Sequence, residues 1–118
     1  MSGSITGNES AAFFKVPTLT GLDDFAQWKS AMTDSLLMLG ALDIVEGTEP
    51  RLLAIKYEDG KETVEGKKEV NSWNERNRKA MAIMRRTVSD ALKVDSEDCR
   101  SAMEIWDRLC ELHDLTAP

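Results

Sequence analysis

Residues 101–113 read SAMEIWDRLCELH. Ser101 precedes Glu104 by three positions, the spacing of a capping box, in which each side chain satisfies an otherwise unpaired backbone N–H at a helix start. Ala102, Ile105, Trp106, Leu109 and Leu112 follow at intervals of three and four, which sets them along one helical face. Two earlier segments repeat the scheme, each with a tryptophan on its apolar side. Phe25, Trp28, Met32, Leu36 and Leu39 form one stripe; Val70, Trp73, Ala80, Met84 and Val88 form the other, with Asn77 interrupting it. Large aromatic side chains at helical spacing bury much area at low entropic cost and usually anchor a core. The expected fold is all-α, a compact bundle of about four to five helices, with Phe25, Trp28, Met32, Leu36, Leu39, Trp73, Ala80, Met84, Ile105, Trp106 and Leu109 in its core and Trp106 the most firmly buried tryptophan.

The intervening segments set the boundaries. Residues 1–12, MSGSITGNESAA, lack periodicity and predict a flexible tail, with the domain running over 13–118. Phe13, Phe14, Val16 and Leu19 are too apolar to leave in water, and Pro17 favours an extended approach. Asp23 and Asp24 suit the positive end of the first helix, and Gly40 suits its stop. A short helix is expected over Ala41 to Glu46, ended by Gly47. Residues 51–66, RLLAIKYEDGKETVEG, lose the helical period and read as an irregular connector in which RLLAIKYE has the composition for a turn of helix. A long helix is expected over 67–87. Ser89 and Asp90 offer a fresh N-cap for a short segment carrying Ala91, Leu92 and Val94, and the polar run DSED then breaks the chain.

The chain has 118 residues, 42% of them hydrophobic and 31% charged. That is enough to bury roughly two thirds of the surface of the unfolded form. No run approaches the roughly 20 apolar residues of a membrane span, and the N-terminus lacks the basic start and apolar stretch of a secretory signal. No membrane partner and a cytoplasmic location are expected. Cys99, Cys110 and His113 exhaust the soft metal ligands. Two thiols and one imidazole do not complete a tetrahedral zinc site, so no metal and no cofactor are expected. Cys110 and His113, three apart, could meet on one helical face as a minimal thiol–imidazole dyad. A half-buried thiol beside a surface imidazole is the commoner meaning of such a pair. No nucleophile elbow, phosphate loop or zinc-protease signature is present, and no enzymatic activity is expected.

The net charge of −6 argues against a nucleic-acid footprint. The charge is uneven: residues 1–60 hold four basic against nine acidic groups, residues 61–90 eight against five, and residues 91–118 three against seven. A basic middle between acidic flanks suits head-to-tail contact between copies at least as well as RNA binding. On the long helix Arg78 and Arg85 lie seven apart, as do Lys79 and Arg86, a ridge about two turns long. These four form the candidate interaction surface, against the simpler reading of a solvated face.

The order of segments, LTGLDDFAQWK at 19–29, a helix ended by Gly40, LDIVEG at 42–47, Trp73 and Ala80 in a long helix, TVSDAL at 87–92 and SAMEIWDRL at 101–109, resembles the Gag polypeptide of copia-type LTR retrotransposons. The likeness runs from Phe13 to Leu112. It implies a helical capsid N-terminal domain, a structural protein that self-associates into virus-like particles packaging the element's RNA. The partners implied are further copies and other proteins, with RNA contacted weakly or indirectly. The 118 residues hold neither the capsid C-terminal domain nor a C-x-x-C-x-x-x-x-H-x-x-x-x-C knuckle, so this chain alone is expected to dimerise and to grip RNA weakly. The alternative expectation is an interaction module: a domesticated Gag-derived domain, or an unrelated helical adaptor, effector or assembly inhibitor, that binds another protein through a helix face or groove.

Overall fold

The computed structural model describes residues 15–52, 54–58 and 61–113, with backbone alone for 54–58 and 61–65. The tail assigned to 1–12, Phe13, Phe14 and residues 114–118 of the expected domain lie outside the described residues. A 3-10 turn, Leu22–Asp24, leads into α1, Phe25–Leu39. Then come α2, Leu42–Glu46, β1, Ala54–Glu58, and β2, Lys61–Glu65. Helix α3, Lys67–Arg86, is the longest; α4, Asp90–Lys93, passes into a 3-10 turn at Val94–Ser96, and α5, Ala102–His113, follows. The body is the expected all-α bundle. No described helix is long and apolar enough to cross a membrane.

One expectation of secondary structure fails. The segment taken for an irregular connector holds an antiparallel hairpin, with Ile55 opposite Val64 and Tyr57 opposite Glu62. Two five-residue runs containing β-branched and aromatic residues flank Asp59-Gly60, a dipeptide that favours the tight turns joining paired strands. The helical turn considered for RLLAIKYE is therefore not formed over 54–58.

The termination of α1 follows the sequence. Gly40 has φ of 71°, and its N–H bonds back to the last turn. A left-handed residue there costs little only without a Cβ. The next N–H, that of Ala41, also reaches back to the Leu36 carbonyl at 2.8 Å, so the chain turns at once into α2.

Helix α5 packs on α2 and α3, and α1 packs on α2 and α3. The extended segment Val16–Leu19 closes the bundle: Leu19 N–H donates to the Thr87 carbonyl at 2.7 Å and Ser89 N–H to the Leu19 carbonyl at 2.9 Å. Val16, Leu19 and Val88 are buried with the main cluster. At its centre Trp28 is 0% exposed, against 8% for Trp106, whose ring lies 5.9 Å away. Trp28, not Trp106, is thus the most deeply buried tryptophan: its ring lies between Phe25 and Trp106, and its indole N–H is satisfied inside by Thr87 Oγ1 at 3.0 Å.

Two further core assignments and one residue of the α5 stripe change. Trp73 is half-buried, outside the main cluster, with its indole N–H donating to the Glu49 carbonyl at 2.8 Å. Leu39 is also half-buried, at the edge of the cluster, and Leu112 is exposed. Conversely Asn77, the interruption in the α3 stripe, is buried, and its Oδ1 accepts the Ala102 N–H at 3.0 Å at the start of α5. The capping box is present with a shift. Ser101 Oγ accepts the Glu104 N–H at 3.2 Å, whereas the Glu104 carboxylate reaches the Arg100 N–H at 2.9 Å rather than that of Ser101.

Candidate functional site

The four basic residues of the proposed ridge have different surroundings. Arg85 is half-buried and its guanidinium donates to the Cys99 carbonyl at 2.9 Å. It holds the approach to α5, and this structural bond takes it out of the exposed ridge. Arg78 is exposed beside a polar recess bounded by Asn71, Asn74 and Glu75. Lys79 and Arg86 are exposed on the opposite flank of α3. There they rim a groove of about 370 Å³ whose apolar lining is Val16, Leu39, Ala82 and Ile83. Lys79 also meets Glu75 across one helical turn at 3.2 Å, an exposed pair of small energetic weight.

The groove lies along the C-terminal half of α3, between the last turn of α1 at Leu39 and the N-terminal segment at Val16 and Thr18. Leu39, half-buried, forms part of its wall.

Opposite charge collects on α5. Asp107 and Glu111, one turn apart, are both exposed. Burial, and then the neighbouring Glu111 carboxylate, push the Asp107 carboxyl above its ordinary range. The nearest basic residue in sequence, Arg108, donates instead to the Asp95 carbonyl at 2.8 Å and lies 3.6 Å from Asp98. Like charges at this spacing repel by a few tenths of a kcal/mol, and among the described residues no cation pairs with either carboxylate.

Of the thiol–imidazole pair, the thiol of Cys110 is half-buried as foreseen, but the imidazole is not at the surface. His113 is buried, stacked on Phe25 with centroids 5.5 Å apart, and its Nδ1 lies 2.9 Å from the Leu109 carbonyl. A carbonyl oxygen only accepts, so Nδ1 is the donor in this contact. Cys99 is buried and Cys110 half-buried, both unbridged, and burial pushes the Cys99 thiol above its ordinary value. Among the described residues no group of three His, Cys, Asp or Glu side chains stands close enough to hold a metal ion.

Sequence reasoning missed Arg76. Its guanidinium donates to both oxygens of Glu49, at 2.8 and 2.6 Å, and to the Gly40 carbonyl at 2.8 Å. One side chain therefore joins the end of α1, the loop after α2, and α3. Its position among other basic residues gave no signal of this, since the partners are 27 and 36 residues away. A second recess, about 290 Å³, lies beside this clamp, lined by Ile44, Pro50, Trp73 and Met103. Compared with protein-family models, curated proteins and solved structures, the chain matches none.

Proposed function

We propose that this chain is a structural self-assembly domain of the kind its sequence resembles, a Gag capsid N-terminal domain that builds particle lattices and performs no catalysis. The observation that carries this reading is the use made of the resembling segments. Leu19 is bridged to Val88, Trp28 is bonded to Thr87 and packed on Trp106, and the start of α5 is bonded to Asn77. Apart from Trp73, which sits at the margin, the quoted motifs meet in one core, and much of the polar chemistry left over lies on outward helix faces. Assembly from many copies asks for this: a rigid body whose weak surface contacts gain strength from closure and multivalency.

The outward side of α1 supports the same reading. It exposes Leu37 and Met38, 64% and 60% exposed, beside Ala26, Gln27, Ser30 and Asp34, a single charge where a face destined for water would carry more. The test is light scattering over a concentration series at low and high salt, with electron microscopy of the most concentrated sample. Growth into rings or shells that salt weakens is expected. A monomer at every concentration overturns it and favours the second reading, a module that binds a different protein, for which the apolar recess beside Trp73 is a ready anchor site.

A further inference from the structure

We propose that copies of this chain join head to tail, the groove rimmed by Lys79 and Arg86 on one copy receiving the Asp107 and Glu111 edge of α5 on the next. This rests on the self-assembly reading above and names the surfaces that perform it.

The argument begins with the placement of the two surfaces. Successive residues of a helix are rotated by about 100°. Asn77 and Arg85 face α5, to which they are tied through Ala102 and the Cys99 carbonyl. Lys79 and Ile83, each two residues, about 200°, from Asn77 or Arg85, line the groove. The groove and α5 therefore lie on opposite flanks of α3, and the outward edge of α5 points away from the groove of its own chain. A contact between two different surfaces on opposite flanks is heterologous; repeated, it closes into a ring or continues as a filament.

Charge and length also match. Each carboxylate of the like-charged pair lacks a cation among the described residues. The groove carries a lysine, paired with Glu75 one turn away, and an arginine around an apolar floor; an exposed pair of small energetic weight exchanges readily for a neighbouring copy's carboxylate. Lys79 and Arg86 are separated by about 10 Å along α3 and Asp107 and Glu111 by about 6 Å along α5, a difference that flexible lysine and arginine stems span. Asp107, already partly desolvated, has less hydration to give up than a fully solvated carboxylate.

The test is a charge swap on the full chain. Lys79→Glu with Arg86→Glu in one variant, and Asp107→Lys with Glu111→Lys in another, should each weaken self-association at least about tenfold. Each then sets like charge against like. An equimolar mixture should recover it, because each variant's altered surface complements the partner's. Amide NMR of the wild type over a concentration series, with both variants checked for a native spectrum, locates the contact independently. Shifts confined to the groove and to the α5 edge are expected. Association with shifts elsewhere, or variants that associate like wild type, overturns this pairing and leaves self-assembly standing. No association and no shift at millimolar concentration overturns both.

Discussion

Replacing Asn77 by leucine tests how α5 is anchored. The amide side chain accepts the Ala102 N–H at 3.0 Å, and Ala102 is 0% exposed. Leucine fills a similar volume but has no acceptor, so the N–H is left buried without a partner. Such a loss costs about 1–3 kcal/mol, a large part of the roughly 5–15 kcal/mol that holds a domain together. With a urea dependence of about 1–3 kcal/mol per molar, the midpoint should fall by about 1 M at unchanged slope. Fluorescence of Trp28 and Trp106, both buried, reports the transition. Hydrogen exchange reports the site itself: the Ala102 amide should lose protection in Asn77→Leu before the amides of α1 do. Asn77→Ala should be worse, because a cavity adds to the lost bond. If Asn77→Leu unfolds within about 0.5 kcal/mol of wild type with the Ala102 amide still protected, the hydrogen bond does not anchor α5 and the reasoning is wrong.

Three other outcomes are expected. Thr87→Val removes the acceptor of the Trp28 indole N–H, a buried bond of 3.0 Å. It should cost about 1–3 kcal/mol, and in a double-mutant cycle Trp28→Phe should make the loss at Thr87 smaller. Arg76→Ala should cost about 1–2 kcal/mol, discounted because both partners keep a quarter or more of their exposure, and should flatten the acid limb of the stability curve. The hydrogen bonds from Arg76 hold the Glu49 carboxyl below its ordinary 4.5; as pH falls the unfolded chain takes the proton first, so this stabilisation is present above 4.5 and lost as pH drops through the lowered value. Urea titrations at pH 7 and pH 3 check both parts. Asp107→Asn should stabilise the fold by about 0.3 kcal/mol at pH 7 and not at pH 3, since a carboxyl titrating above its ordinary value weakens the folded state only once ionised. The same substitution should weaken self-association, and sedimentation beside thermal melts would show the two effects with opposite sign.

The main helices could be read from the chain because their signals are local. A tryptophan on an apolar stripe, Gly40 and Gly47 as stops, and Ser101 with Glu104 at a helix start each act within a few residues of themselves. The pairing of β1 with β2 was legible in the same way, through Asp59-Gly60 between two β-prone runs; loss of the helical period alone does not reveal it.

The surface could not be read so directly. Lys79, Arg85 and Arg86 look alike as letters on a helix, yet Arg85 turns to a carbonyl fourteen residues on while Lys79 and Arg86 border a groove. Asn77 read as a flaw in a stripe and is the acceptor for a helix start 25 residues away.

By itself the sequence determined that this chain is helical, where most of its helices begin and end, and which face of each is apolar, because periodicity, caps and propensity are properties of neighbouring residues. Only the tertiary structure decided that Trp28 holds the centre, that Trp73 stays at the margin, and that cationic and acidic surfaces fall on opposite flanks of α3. Those outcomes depend on which helix meets which, a matter of distances between residues that the sequence keeps far apart.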